Sequence, residues 1–141
     1  MSILDAGLAQ VDFTEVLRAL DKLEAAATVR LGQALAMAAV ETTRHAKQNH
    51  DYIDRTGRLT ASIRPGAVTG TFGTGIGVDM MAGARGVTYA AHVEWGTRPH
   101  GNHPGTRAYR YMANAIEARL VRTEELLEQA MQLAIEESGL G

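Results

Sequence analysis

The 141-residue chain has no cysteine, which excludes a disulfide framework and a thiolate zinc site. That absence fits a reducing compartment without identifying one. Aromatic residues make up only 5% of the chain, with one tryptophan and two phenylalanines, so a large aromatic core is excluded. No run approaches the roughly 18 consecutive apolar residues of a membrane span. The N-terminus lacks a basic stretch followed by an apolar one. Neither a membrane partner nor a secretory signal is therefore expected. A strong charge of one sign is also missing: the formal net charge is −2 and the isoelectric point lies near 6.2. A dedicated nucleic-acid binder would carry a strongly basic footprint.

What remains is an ordinary globular composition, 45% hydrophobic and 21% charged. The length suits a single domain over 1–141, with 1–11 and 138–141 expected to fray. Fifteen glycines and many alanines must supply the packing that aromatics do not.

The periodicity of the first third predicts a helix. Asp12-Phe13-Thr14-Glu15 has capping-box spacing, with Asp12 able to accept from the Glu15 N–H. Apolar residues then recur at Phe13, Val16, Leu17, Leu20, Leu23, Ala27, Leu31, Ala34, Leu35 and Ala38, a one-sided stripe at helical period. A helix over about 13–48 would be roughly 50 Å long. That exceeds what one small sheet covers, so part of it is expected against another subunit. The alternative is a break near Gly32.

Asn49 to Asp54 ends this helix and Arg55 to Arg58 is a turn. Leu59 to Val68 reads as a first strand weakened by Pro65, and Thr69-Gly70-Thr71 as a hairpin turn. Phe72 to Asp79 reads as a second strand whose Phe72, Thr74, Ile76 and Val78 alternate with glycines. Met80 to Gly86 is a loop, and Val87 begins a third strand. Arg98 to Gly105 is a loop rich in proline and glycine. From Thr106 a second helix runs to about Glu137. The fold class is α+β: a long N-terminal helix and a C-terminal helix packed on a small antiparallel β-sheet.

The stretch that links these parts is Tyr89-Ala90-Ala91-His92-Val93-Glu94-Trp95-Gly96-Thr97, which holds the single tryptophan. As a strand, Val87, Tyr89, Ala91, Val93 and Trp95 would share a face. As a helical turn, Tyr89 and Val93 would stack at i, i+4 with Gly96 just past the end, where φ > 0 favours glycine. Both readings stay open from periodicity. In either, Tyr89, Val93, Trp95 and Gly96 are core or turn anchors, with the Trp95 ring buried.

This stretch resembles the Tyr-Ala-x-x-Val-Glu-aromatic-Gly-Thr signature of tailed-phage and prophage tail-completion proteins, also called head–tail joining, neck or minor tail protein Z-like proteins. Thr56-Gly57-Arg58-Leu59-Thr60-Ala61-Ser62-Ile63 resembles the family's Thr-Gly-x-Leu-x-x-Ser-Ile segment. Pro104 to Met112 occupies the place of its Pro-aromatic-apolar lead-in to the last helix, with Ala108-Tyr109-Arg110 where Pro-Phe-Leu is usual. In order and spacing the likeness spans about residues 12–120. It implies a structural virion assembly protein with no reaction to catalyse and no cofactor. It also implies a self-assembled ring, sixfold in the family, between the tail tube protein and the head connector. DNA passing through such a ring would make transient, nonspecific contact. The location implied is the virion, assembled in the bacterial host cytoplasm.

The rival from another class is a small metal-dependent hydrolase using His92, Glu94, His100 and His103, which are N and O donors that zinc accepts. Their spacing is not the His-Glu-x-x-His of a metalloprotease helix. No deaminase Pro-Cys-x-x-Cys is present. Gly73-Thr74-Gly75-Ile76-Gly77 lacks the helix start that a phosphate loop needs. Ser62 has no nucleophile elbow. A helical adaptor unrelated to phage is a further alternative.

Charge is segregated along the last third. Arg98, Arg107, Arg110, Arg119 and Arg122 precede Glu124, Glu125 and Glu128, with Glu136 and Glu137 beyond. This reverses the usual helix-dipole preference. The two groups are candidate interface patches toward a neighbouring subunit or partner, or else a solvated face.

Overall fold

The structure is a computed structural model and describes residues 13–140. Helix α1 (Phe13–Gln48) is followed by a short helix α2 (Arg58–Ser62), strands β1 (Arg64–Thr71) and β2 (Gly75–Met81), and helices α3 (Ala90–Trp95), α4 (Tyr111–Ala118) and α5 (Leu120–Ser138). The α+β class and its two packed helices follow the sequence expectation. Asp12 and the frayed 1–11 segment lie outside the described residues. Ser138 closes α5 and is 4% exposed.

No proline interrupts α1, and Glu15 in its first turn and His45 and Lys47 in its last complement the helix dipole. Asn49 stops it, its Nδ2 donating to the His45 carbonyl at 3.1 Å. The buried residues of α1 are small: Ala27, Ala34, Ala38, Ala39, Thr42, Thr43 and Ala46. Small side chains let other elements approach closely. Helix α5 runs antiparallel along this face, with Leu126 and Ala130 against Ala34 and Ala38. Arg30 pairs with Glu137 at one end, and Glu41 pairs with Arg119 at 2.9 Å toward the other. The helix does not break at Gly32. Ile76 and Val68 of the hairpin sit over that glycine, where a Cβ would meet them at 3.8 Å.

The sheet is two antiparallel strands with a bulge between Pro65 and Val68. Its boundaries correct the sequence expectation. Leu59 to Ser62 is helical because Asp54 bonds the Gly57 and Thr60 N–H groups at 3.0 and 2.7 Å and so caps α2. The turn lies at Phe72-Gly73-Thr74, where the Thr71 and Thr74 hydroxyls bond each other at 2.8 Å. Met80 and Met81 belong to β2 and not to a loop. No third strand forms at Val87 among the described residues, where that residue makes only an isolated bridge to Ala84. The last helix starts at Tyr111 and is interrupted at Arg119.

A second core closes the C-terminal end of α1. Tyr52, Leu59, Ile63, Val87, Ala90 and Tyr111 pack there with Ala46 and Ala115. The Tyr52 and Tyr111 rings meet edge-on at 5.1 Å, and the Tyr111 hydroxyl donates to the Ala90 carbonyl at 3.1 Å. Burial, then the neighbouring Glu94 charge and Tyr52, push the Tyr111 hydroxyl up to about 12.

By length and composition alone α1 is long and apolar enough to cross a membrane, although polar residues interrupt its apolar stripe throughout. One side of it is occupied by α5 and the hairpin.

Candidate functional site

The stretch from Tyr89 to Thr97 is a helical turn. Val93 N–H donates to the Tyr89 carbonyl at 3.1 Å and Gly96 N–H to the His92 carbonyl at 2.7 Å. The inward row is Ala90 and Glu94, at 6% and 5% exposure, spaced i, i+4. Val93 is partly buried beside them and Tyr89 is 38% exposed. Trp95 is 71% exposed, so the expectation that its ring is buried is wrong. The reason is periodicity: on a helix Trp95 leaves the row of Tyr89 and Val93 that strand alternation would have given it.

Glu94 is the residue whose role the sequence concealed. Its Oε2 accepts the Met112 N–H at 2.8 Å and its Oε1 the Ala113 N–H at 3.0 Å. These are orphan donors of the first turn of α4. The flanking residue Arg110 has φ 51° and no side-chain cap of its own. A carboxylate from another element therefore caps α4 and meets its positive end. No local signal links residue 94 to residue 112.

Backbone bonds bind the same two segments. Tyr109 N–H donates to the Val93 carbonyl at 2.9 Å and Arg110 N–H to the Glu94 carbonyl at 3.1 Å. Thr97 and Thr106 exchange backbone bonds of 3.0 and 3.2 Å. Gly96 has φ 76°, and a Cβ there would fall 2.7 Å from the Thr106 carbonyl oxygen. This backbone approach explains both the glycine and the late start of the last helix.

No protein family, curated protein or solved structure matches this chain.

The four residues of the metal rival do not converge. His92, His100 and His103 border one open hollow of about 390 Å³, while Glu94 is committed to α4. His100 Nδ1 lies 2.9 Å from the Arg98 carbonyl, and His103 Nδ1 accepts the Gly105 N–H at 2.9 Å. The two rings stack at 5.0 Å across the turn that joins them. Among the described residues no group of three His, Asp or Glu is placed to hold a metal ion. Gly73 to Gly77 forms the hairpin turn and the start of β2, with no helix N-terminus behind it.

The charged patches are only partly free. Arg119 and Arg122 reach Glu41 at 2.9 and 3.5 Å, and Arg122 lies 3.8 Å from Glu125. These pairs spend two of the five arginines inside the fold. Arg107 stacks 4.4 Å over Tyr109 and lies 3.9 Å from Asp51. Arg98 and Arg110 are exposed, with no ion pair among the described residues, as are Glu124 and Glu128.

Proposed function

We propose that the chain is a structural assembly protein of a tailed phage or prophage, a tail-completion or head–tail joining component that forms a ring between tail tube and connector. One observation carries this. The three segments that resemble the family meet in a single core: Leu59 and Ile63 from the first, Ala90 from the second and Tyr111 from the third. Within them Ser62, Glu94, Gly96 and Thr97 each have a backbone task. Ser62 Oγ accepts the Gly83 N–H at 2.9 Å, Glu94 caps α4, and Gly96 and Thr97 hold the chain against residues 106–108. Motif residues devoted to architecture suit a building block better than a catalyst. Copies of the chain, the tail tube protein and the head connector are the partners in this reading, with DNA a transient and nonspecific contact.

Deleting the gene from an inducible prophage tests the reading. Electron microscopy of the lysate should show filled heads and separate tails, restored to joined particles by a plasmid copy. Normal infectious particles from the deletion would overturn it.

A further inference from the structure

The inward row of α3 is Ala90 and Glu94. Tyr89, His92 and Val93 stand at i, i+3 and i+4 and share another face of that helix. Against this face residues 97–106 make an excursion. Thr97 and Thr106 close its base with two backbone bonds, and His100 and His103 close its tip with two more, at 3.0 and 2.8 Å. No residue of the excursion is buried, so core packing does not account for it. Between it and α3 lies the open hollow of about 390 Å³, a volume in the range of small-molecule sites.

The lining gives this hollow a definite chemistry. Most of its surface is apolar, and Tyr89, Val93 and Tyr109 are among its walls. Its one permanently charged side chain is Arg107, whose guanidinium lies 4.4 Å over the Tyr109 ring and is positioned by it. Hydrogen bonds give the two loop histidines opposite tautomers. The Arg98 carbonyl can only accept, so His100 Nδ1, 2.9 Å away, carries the hydrogen and Nε2 of the neutral ring keeps its lone pair. His103 Nδ1 accepts the Gly105 N–H, so its hydrogen sits on Nε2. The two nitrogens left for a ligand are one acceptor and one donor, on rings that stack at 5.0 Å.

Charge selects the sign of the occupant. Between residues 80 and 116 the bases are Arg85, Arg98, Arg107 and Arg110, and the one acid is Glu94, which is buried and bonded to α4. Asp51, 3.9 Å from Arg107 and with its side chain 79% exposed, is the carboxylate that an arriving anion would displace.

We propose that this hollow binds a nucleotide unit. The base lies against the Tyr89 ring, its phosphate meets Arg107 and the His103 Nε2–H, and an N–H on the base edge donates to His100 Nε2. An acidic side chain from a protein partner would satisfy Arg107 but bring no flat face to the tyrosine and no donor to His100. Stacking on an aromatic ring tolerates any base, so the site carries little base preference. A free nucleotide and an unpaired nucleotide in a single strand offer this same chemistry, whereas a duplex keeps its base faces stacked. The binding goes beyond the assembly role proposed above and does not rest on it.

Titration of the full chain with dAMP, followed through the histidine ring signals by NMR, tests the site. The His100 and His103 signals should shift together and saturate at millimolar dAMP, while those of His45 stay in place. Adenosine and inorganic phosphate should each bind at least about tenfold more weakly than dAMP, because each supplies half of the contact. Arg107→Gln and Tyr89→Leu, both at exposed positions, should each weaken dAMP about tenfold and leave the melting midpoint unchanged. Absent shifts, phosphate bound as tightly as dAMP, or a hexaglutamate peptide bound as tightly as dAMP would each overturn the proposal. A single-stranded adenine hexamer that binds at least about tenfold more tightly than dAMP would support it with nucleic acid as the source, and equal affinity would support it with the free nucleotide. A duplex bound as tightly as the single strand would remove the stacked base and overturn it.

Discussion

Burying a carboxylate costs free energy unless hydrogen bonds replace its water. Glu94 recovers that cost from two backbone donors that α4 would otherwise leave orphaned. Glutamine in its place keeps the shape but offers only one acceptor oxygen, and its NH₂ would confront the other N–H. Glu94→Gln should therefore destabilise the fold by about 1–3 kcal/mol, the usual cost of an unsatisfied buried group. Urea unfolding should show a lower midpoint with an unchanged slope, and an unchanged midpoint would refute the cap. Gly96 poses the complementary steric case. Its φ of 76° and ψ of 177° lie in a region essentially reserved for glycine. Gly96→Val should cost at least about 1–3 kcal/mol from backbone strain alone. His100→Ala, on the exposed turn, should change stability by about 0.5 kcal/mol or less. Equal midpoints for wild type and Gly96→Val would show that this turn does not constrain the fold.

At the scale of elements, a short helix depends on one side chain. Burial raises the Asp54 carboxyl, but hydrogen bonds from Thr60 and Gly57 and the nearby His50 charge outweigh it, so its pKa lies below the ordinary value. A carboxylate depressed on folding stabilises the protein above its unfolded pKa, about 3.9, and loses that contribution as pH falls through the lower folded value. Asp54→Ala should cost about 0.5–2 kcal/mol near neutrality, the range for a lost cap. The gap from wild type should narrow steadily below about pH 4. Urea midpoints for both proteins at pH 7 and pH 3 measure it, and a gap that widens in acid would contradict the assignment. The same element shows what could be read from sequence. Helix α1 was legible because ten apolar residues stand at helical spacing from Phe13 to Ala38 and no proline interrupts the chain before Gln48. Residues 58–62 and 89–95 were not. Each is only one to two turns long, too short for the apolar pattern to choose between period two and period 3.6. Their form is set by partners distant in sequence, such as Met112 for Glu94. Trp95 was misplaced for the same reason, since a wrong period rotates a side chain from core to solvent.

Across the whole molecule, the segregated charges seen in sequence divide into those that hold the fold and those free to meet a neighbour. Arg119 and Arg122 already share Glu41, at 32% and 41% side-chain exposure. Arg119→Ala should lower stability by up to about 1 kcal/mol, the scale of partly exposed pairs, without selectively blocking association. Arg98 and Arg110 are exposed and make no ion pair among the described residues. Reversing both to glutamate should leave the melting midpoint nearly unchanged and weaken association of copies into the proposed ring, because an exposed basic patch then changes sign. Exposed pairs are worth only about 0–1 kcal/mol each, so apolar contacts must supply most of the affinity in such a ring and charge chiefly the rate and direction of encounter. Salt should then slow wild-type association more than it loosens the assembled state, because screening acts within about 8–10 Å at 0.1–0.15 M salt. Sedimentation and stopped-flow light scattering at low and high salt separate the two effects. An association rate indifferent to both salt and the double reversal would remove charge from the contact between copies.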